Sequence, residues 1–397
     1  MMLLGLQQLS AQHINFGDST IISLITCDPG EEIYAKFGHT AIRVRGSEGL
    51  DLVYNYGLFD FRTKHFYWKF LKGHTDYMLG VSRTEDFLYE YYVRNSSVYE
   101  QVLNLSQEEK DKLIHLLNVN YEPQNRTYRY NFVYDNCATR PQDIIQEAVS
   151  GVIVDNAVVT DETFREIISK YLIKDAWVDF GINLIFGVDA DQPAGEQGHT
   201  FIPENLKNYF QRARIRSFDD HNERKLVNRT EVLVQATPHV EEGTSWFVHP
   251  ITIALLLLIV GLILTFYKER KSKIYRIFDT ILFLSTGIAG LLIMFLSFFS
   301  VHPLVPHNLN ILWLNPLNIL VALLLWYKGA RKFLFFYNIF YFILIIIYVV
   351  VIVFFIHSIA PATVPLITLI ILRVLRREER LLHILLTPTS DGLKWKK

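Results

Sequence analysis

The stretch FVHPITIALLLLIVGLILTFY, residues 247–267, decides how this chain must be divided. It contains no Asp, Glu, Lys or Arg, and about 20 predominantly apolar residues cross the ~30 Å hydrocarbon layer of a bilayer as a helix. Before it, residues 1–245 hold 24 Lys+Arg against 35 Asp+Glu, a net charge of −11. From residue 246 onward there are 15 basic and only 5 acidic residues, a net of +10. The formal net charge of −1 over 397 residues is therefore the balance of an acidic, water-facing part and a basic, apolar part. An aromatic content of 14% with only 20 Gly and 13 Pro excludes a disordered or collagen-like chain. The acidic part has no charge with which to attract nucleic acid. Its two cysteines, Cys27 and Cys137, are too few for a disulfide framework or a structural zinc site.

Four more apolar stretches follow, at 277–299, 309–327, 333–356 and 360–375, so an all-α membrane bundle of about five helices is expected. The third is interrupted by Asn315-Pro316, and the fifth is short and carries Pro361 and Pro365. Lys268, Arg270, Lys271, Lys273 and Arg276 follow the first stretch; Lys328, Arg331 and Lys332 follow the third; Arg373, Arg376, Arg377 and Arg380 follow the fifth. The alternate connections, 300–308 and 357–359, have no Lys or Arg. Basic loops stay cytoplasmic, which places the acidic part outside a cytoplasmic (inner) membrane and the basic tail 377–397 inside. Residues 1–15 read as the remnant of an export signal: MMLLGLQQLSA (1–11) has an apolar run and small residues but no basic start. Residues 16–235 then form the external domain and 236–246 a linker.

Within that domain, IISLIT (21–26) reads as a strand entering a Pro29-Gly30 turn, and 31–37 as one or two helical turns closed by Gly38. HTAIRVR (39–45) and DLVYNY (51–56) read as a hairpin around Gly46-Ser47-Glu48-Gly49. Ser106-Gln107-Glu108-Glu109 is a capping box opening a helix to about residue 119. YRYNFVY (128–134) is strand-like, 138–149 is helical with Ile144, Ile145 and Ala148 on one face, and 189–198 is a loop. Asn136 is a good N-cap for the helix, which puts Cys137 in its first turn. A thiol there faces free backbone N–H groups and the positive end of the helix dipole, favouring the thiolate. A buried structural cysteine, or a disulfide with Cys27 outside the cytoplasm, are the competing readings. His39, opening a strand after Gly38, is a candidate base for the thiol, or a structural or solvated histidine.

Two blocks carry a resemblance. TCDPGEEIYAKFGHTAIRV (26–44) followed by VYNYGLFDF (53–61), with YDNCATR (134–140), is similar to the family of exported bacterial membrane proteins that includes the Lnb-type lipoprotein N-acyltransferases. The resemblance extends to NLNILWLNPL (308–317) before the third apolar stretch. It implies an α+β papain-like thiol domain fused to the transmembrane bundle. The His-then-Cys order is similar to the permuted arrangement of NlpC-type hydrolases and lecithin:retinol acyltransferase-like enzymes. It makes Cys137 the nucleophile and His39 its general base, with no metal and no cofactor. Asn55 and Tyr56 are candidates to orient the imidazole, and strand alternation allows only one of them the correct face. Arg140 is a candidate contact for a phosphate or carboxylate, or a surface or structural salt bridge. His302, Asn308 and Asn310, with His307 in the loop at headgroup level, are candidate substrate contacts, or a polar loop that returns the chain. The implied reaction moves an acyl chain from a membrane phospholipid, through a Cys137 thioester, to the α-amino group of the diacylglyceryl-cysteine of a diacylated lipoprotein acceptor. The alternatives are a Cys-His phospholipase or cell-wall peptidase, and a non-catalytic membrane assembly platform.

Overall fold

A computed structural model of the chain describes residues 16, 19–46, 49–60, 62–155, 161–237, 243–266, 273–356 and 359–386. The signal-like residues 1–15, the turn residues Ser47 and Glu48, residues 238–242 of the expected linker, the basic stretch 267–272, residues 357–358 and the tail from 387 lie outside the described residues. The chain divides into two compact units. One comprises Met1–Ile167, Pro193–Val240 and Val301–Pro303; the other comprises Ile168–Gln192, Glu241–Ser300 and Leu304–Lys397.

The first unit is α+β. Strands β1 (Ile21–Cys27), β2 (His39–Arg45), β3 (Asp51–Leu58), β4 (Asp76–Arg83), β5 (Val98–Leu103), β6 (Thr127–Arg129) and β10 (Val227–Val234) form one antiparallel sheet in the order β10-β5-β1-β2-β3-β4-β6. A smaller sheet joins β7 (Gly151–Val154), β8 (Arg214–Ser217) and β9 (Glu223–Lys225) in that order. The described helices, in chain order, are α1 (Phe66–Leu71), α2 (Thr84–Val93), α3 (Gln107–Tyr121), α4 (Thr139–Ala148), α5 (Phe164–Tyr171), α6 (Ala176–Ile185), α7 (Gly195–His199) and α8 (Pro203–Arg212) before the apolar half.

β1 and β2 are buried on both faces, which is why they read as apolar runs and not as clean alternation. One sheet face presents Leu24, Ile42, Tyr54 and Tyr56 to Leu113 and Leu117 of α3 and Ile144 and Ile145 of α4. The opposite face presents Ile25, Cys27, Ala41 and Val53 to Phe87 and Tyr91 of α2. A buried charge cluster lies beside that second layer: Arg43 donates to both Asp51 oxygens at 2.8 and 2.5 Å and to Glu100 at 3.1 Å. The capping box forms as the sequence indicates, with Glu109 Oε2 accepting the Ser106 N–H at 2.8 Å. Buried Glu109 also accepts the Ser150 N–H at 2.8 Å and Arg224 at 2.5 Å.

Two expectations need correction here. Of the strand-like stretch 128–134 only Tyr128 and Arg129 pair with β4, in a strand that starts one residue earlier, Thr127–Arg129. Beyond it Asn131 Oδ1 accepts the N–H groups of Val133 and Tyr134, each at 3.0 Å, and turns the chain before it can continue the ladder. The expected loop 189–198 carries a 3₁₀ turn, Val188–Asp191, and most of α7.

The second unit contains α6, a 3₁₀ turn Trp246–Val248, and α9 (Pro250–Phe266), α10 (Lys273–Phe299), α11 (Asn318–Leu324), α12 (Arg331–Val351) and α13 (Thr363–Leu386). Among the described residues two helical stretches have the length and apolarity to cross a membrane: Lys273–Phe299 and Lys328–Phe354. Pro250–Phe266 is apolar but shorter. The expected third helix is broken into a 3₁₀ turn, Leu309–Leu312, and the short α11. Pro316 has no N–H and biases Asn315 away from helix, and Asn315 Oδ1 instead accepts the Leu317 N–H at 3.0 Å. Gly290 of α10 admits the break: a Cβ there would lie 1.7 Å from the Leu314 carbonyl oxygen. Asn318, fully buried, donates to Thr286 and Tyr341 at 3.1 and 3.0 Å and accepts from Tyr337 at 2.7 Å. Interrupted backbone in an apolar surrounding persists only where protein groups satisfy it, and here they do. Arg373, read from sequence as part of a basic flank, is buried in α13, donating to Asp279 at 2.6 Å and Thr265 at 2.9 Å.

Candidate active site

Residues Asp135-Asn136-Cys137 turn the chain into α4. Asn136 Oδ1 accepts the N–H groups of Ala138 and Thr139 at 2.7 and 2.9 Å, and Thr139 Oγ1 accepts the Asn136 N–H at 2.8 Å. Asn136 Nδ2 donates to the carbonyls of Phe132 and Phe201 at 2.7 and 2.8 Å. With all these partners the side chain is 2% exposed, a rigid cap and not a substrate contact. Regular helix begins at Thr139, two residues later than expected, yet the Arg140 N–H already bonds the Asn136 carbonyl at 3.2 Å. Cys137 therefore sits in the turn that opens the helix, half-buried, with a free thiol.

His39 is the first residue of β2, directly opposite Cys27 on β1. Gly38 before it has φ +77°, and a Cβ there would lie 2.6 Å from the Cys27 carbonyl oxygen, so only glycine lets β2 begin this close to β1. Asn55 of β3 points to the same side, and its Oδ1 lies 2.6 Å from His39 Nε2. Tyr56, one residue on, turns to the other face, where it is buried and meets Tyr128 edge-on. An amide oxygen can only accept, so His39 Nε2 carries a proton. Nδ1 is then the nitrogen left for the hydrogen bond that His39 also makes with Cys137. Gly57, at φ +95° in an irregular stretch of the β3–β4 pairing, leaves room for both groups. A Cβ on Gly57 would lie 3.5 Å from Cys137 Cβ and 3.8 Å from His39 Cε1.

Burial alone would raise the Cys137 pKa. The neighbouring imidazolium charge and the hydrogen bonds from His39 and from the backbone N–H groups of Thr40 and Cys137 itself together outweigh it, and the thiol is held below its ordinary range. For His39, burial pushes the pKa down, and the facing thiolate together with the hydrogen bonds to Cys137 and Asn55 pushes it further up. Both shifts favour a thiolate–imidazolium pair at neutral pH. Cys27 is its opposite: buried, hydrogen-bonded to Tyr91, and pushed well above the ordinary thiol pKa by desolvation. Both cysteines are free thiols.

The remaining candidates are placed elsewhere. The Arg140 guanidinium is engaged by both oxygens of Asp135, at 2.5 and 2.8 Å, and stacks 3.5 Å from the centre of the Tyr128 ring. His302 lies in the first unit, with Nε2 2.8 Å from the Phe70 carbonyl oxygen. Asn308 and Asn310 lie in the second unit and bond the carbonyls that end α6: Asn308 Nδ2 reaches Leu184 and Ile185 at 2.8 and 2.7 Å, and Asn310 Nδ2 reaches Leu184 at 3.1 Å. His307 faces Asp189 at 3.3 Å. The loop at 300–310 thus gathers no common site from these four side chains. Among the described residues no group of three His, Cys, Asp or Glu side chains converges as metal ligands would.

Sequence reasoning missed three contributors. Gly57 could have been suspected from the Asn-Tyr-Gly end of a strand, where a glycine marks a bulge or a close approach. The Thr40 N–H, which supports the thiolate, carries no side-chain signal. A pocket of about 140 Å³ beside the imidazole, lined by His39, Asn55, Leu58, Tyr34, Glu90 and Tyr91 among others, depends on α2 folding over the sheet end.

Chemically, the arrangement presents a nucleophilic sulfur at a helix start and a base with its tautomer fixed, with a recess that the imidazole, and not Cys137, helps to line. No curated protein and no solved structure matches the chain. Two family models do: the Lnb N-terminal periplasmic domain over residues 9–170 and the Lnb transmembrane domain over residues 242–378, together well over half of the sequence. The periplasmic model spans His39, Asn55 and Cys137, and the transmembrane model spans the apolar helices. The chain belongs to the Lnb family and is a membrane protein with a periplasmic N-terminal domain and a C-terminal transmembrane region.

Proposed function

We propose that the protein is a thiol-dependent acyltransferase that moves an acyl chain from a membrane phospholipid to the α-amino group of the N-terminal diacylglyceryl-cysteine of a lipoprotein. The observation that carries this reading is the line Asn55–His39–Cys137, in which the amide fixes the imidazole and the imidazole faces the thiol. Cys137 is the nucleophile, His39 the general base and Asn55 the orienting group of a papain-like domain with permuted order, residues 16–235. Residues 247–376 make five membrane crossings, the third through its broken segment, with the C-terminus in the cytoplasm as the basic connections indicate.

In the first half-reaction the Cys137 thiolate attacks the ester carbonyl carbon. The resulting oxyanion is held by a backbone N–H at the start of α4. Its collapse breaks the ester C–O bond, and the imidazolium of His39 protonates the departing lysolipid oxygen. In the second half-reaction the neutral imidazole takes a proton from the acceptor amine as its nitrogen attacks the thioester. The C–S bond breaks, and the amide and the thiolate–imidazolium pair result. Both substrates are lipids, which gives a membrane-anchored domain a purpose that a soluble cell-wall polymer would not.

The test is intact mass of the purified full chain incubated with phospholipid and no amine, beside Cys137→Ser. An acyl-sized gain, removed by hydroxylamine and transferred to a diacylated lipopeptide, is the expected result. Free fatty acid released in a Cys137-dependent way without a transferable adduct would replace the transferase with a lipase. Neither adduct nor release, with function retained in Cys137→Ser, would leave the domain a scaffold.

A further inference from the structure

Helix α6 falls between the two family matches, in the stretch 171–241 that neither covers. It is a ten-residue apolar helix, AWVDFGINLI, too short to cross a bilayer. It belongs to the second compact unit and is fixed there at both ends. At its start the Ala176 N–H donates to Thr244 Oγ1 at 3.1 Å, and the Thr244 N–H donates to the Lys174 carbonyl at 2.9 Å. At its end Asn308 and Asn310 take up the carbonyls of Leu184 and Ile185 that the helix leaves open. Leu184 packs against the bundle core around Trp313 and Tyr341. Its polar residues are satisfied among themselves: Asp179 Oδ1 accepts from Ser169 at 2.6 Å and from Asn183 at 2.8 Å.

On α6 itself Trp177 is the exposed apolar residue, and exposed apolar residues lie near it in the chain and across the Trp177–Val248 contact. Ile173, Trp177, Trp246, Phe247 and Val248 are between 48% and 76% exposed. Trp177, Trp246, Phe247 and Val248 form one patch, because Trp177 Nε1 donates to the Val248 carbonyl at 2.6 Å and Trp246 stacks on Phe247 with ring centres 3.6 Å apart; Ile173 lies four residues before Trp177 in the sequence. The patch is continuous with α9, whose apolar run starts at Pro250 and leaves Leu255, Leu256 and Ile259 exposed. A helix entering hydrocarbon at Pro250 puts Trp246–Val248 within one turn of the boundary, and the Trp177–Val248 bond holds α6 at that level. Indole rings with an apolar body and a polar N–H favour that depth.

We propose that α6 and Trp246–Val248 form an interfacial anchor lying in the headgroup region of the periplasmic leaflet, with Ile173, Trp177 and Phe247 dipping to the acyl boundary. The occupant of the patch is lipid. This anchor fixes the segment leading out of α5 to the bilayer surface and holds whether or not the protein transfers acyl chains.

The experiment uses the full chain in liposomes, in a Cys27→Ala, Cys137→Ser background, with an environment-sensitive fluorophore on Ile173→Cys, on Phe247→Cys and, as a water-exposed control, on Tyr89→Cys. The expected result is blue-shifted emission at 173 and 247, quenched several-fold more by lipid with a shallow nitroxide than by aqueous iodide, and the reverse at 89. Because labelling could disturb the helix, native tryptophan quenching by brominated lipid is measured as well and should fall in Trp177→Phe. Iodide-accessible, red-shifted emission at 173 with no change in Trp177→Phe would overturn the proposal. So would a signal at 173 that becomes lipid-like only when a second protein is added, which would make the patch a protein interface.

Discussion

Replacing Asn55 by Ala tests the reasoning about the imidazole more sharply than replacing either reactive group. The bond removed is the 2.6 Å contact between Asn55 Oδ1 and His39 Nε2. It exists for the neutral ring and for the imidazolium, but hydrogen bonds to charged groups contribute about 1.5–3 kcal/mol and neutral ones about 0.5–1.5 kcal/mol. The difference, roughly 1–1.5 kcal/mol, is about one pKa unit at 1.36 kcal/mol per unit. His39 is half-buried, so water partly replaces the amide and one unit is an upper figure. The sign follows from the cycle. Losing Asn55 weakens every state with a protonated ring equally, so the step from thiol–imidazolium to thiolate–imidazolium is unmoved. The step in which the imidazolium then loses its proton moves down by up to about one unit. Alkylation of Cys137 by iodoacetamide, followed by intact mass from pH 4 to 10, reads both limbs. The lower limb should stay in place and the upper one should fall. Acyl transfer should drop about ten- to a hundredfold, because the freed ring also samples the wrong tautomer, a type of loss general-base catalysis is sensitive to. Tyr56→Phe should leave both limbs unchanged. A shifted lower limb in Asn55→Ala, or an unshifted upper limb with full activity, would refute the assignment.

Other expectations follow from neighbouring residues. His39→Ala removes the charge that holds Cys137 low, so the lower alkylation limb should climb toward the ordinary thiol value of 9.0, with labelling at pH 7 slowed about tenfold or more. Gly57→Ala places a side chain at φ +95° against the reactive pair and should cost about 1–2 kcal/mol, read as a lower thermal midpoint together with lost transfer activity. Glu109→Gln should destabilise by about 3 kcal/mol, the low end for breaking a buried pair because Arg224 reaches solvent. Burial raises the Glu109 pKa, and the N–H groups of Ser150 and Ser106 with Arg224 bring it below the ordinary value. Its stabilisation is therefore complete above the unfolded pKa of about 4.3 and is lost as pH falls through the lower folded value, so acid unfolding should be flatter in the Gln variant. Asn308→Ala should destabilise by about 1 kcal/mol, read as a lower thermal midpoint, because the Ile185 carbonyl is left open while Leu184 keeps Asn310, without raising KM for phospholipid; the reverse pattern would favour a headgroup role for Asn308.

The parts of the site that were legible in the sequence share a cause: each is fixed by contacts within a few residues. The Asn136 cap is a local matter of a side-chain oxygen and the N–H groups two and three residues on, and so is the capping box at Ser106 and Glu109. Strand alternation narrowed the orienting residue to Asn55 or Tyr56, and choosing between them required knowing which face of β3 meets the start of β2. What stayed hidden is long-range. The recess beside His39 exists because α2, some fifty residues later, lies over that sheet face. The Asn131 turn was misread as strand because aromatic β-formers surround it, while one side-chain oxygen bonding two backbone N–H groups outweighed their propensity.

The membrane half shows the same limit more severely, because there polarity announces importance without saying of what kind. Asn308, Asn310, Asn315 and Asn318 all stand in or beside an apolar run, and each suggests a ligand. Asn308, Asn310 and Asn315 bond backbone groups that a helix end or an interrupted helix leaves open, the carbonyls of α6 and the Leu317 N–H, and Asn318 bonds the hydroxyls of Thr286, Tyr337 and Tyr341. Arg373 makes the point in reverse. Counted as a cytoplasmic flank it supports an orientation, yet it is buried against Asp279 and Thr265, so its charge is balanced within the helices and carries no topological weight. Removing it from the count leaves Arg376, Arg377 and Arg380 after the fifth stretch, and the basic side of the bundle keeps its sign. The orientation argument therefore does not depend on Arg373. Asp279→Asn separates the two roles: it should destabilise the helices by leaving Arg373 buried and unpaired, about 3–5 kcal/mol, while the side on which the C-terminus is labelled stays the same.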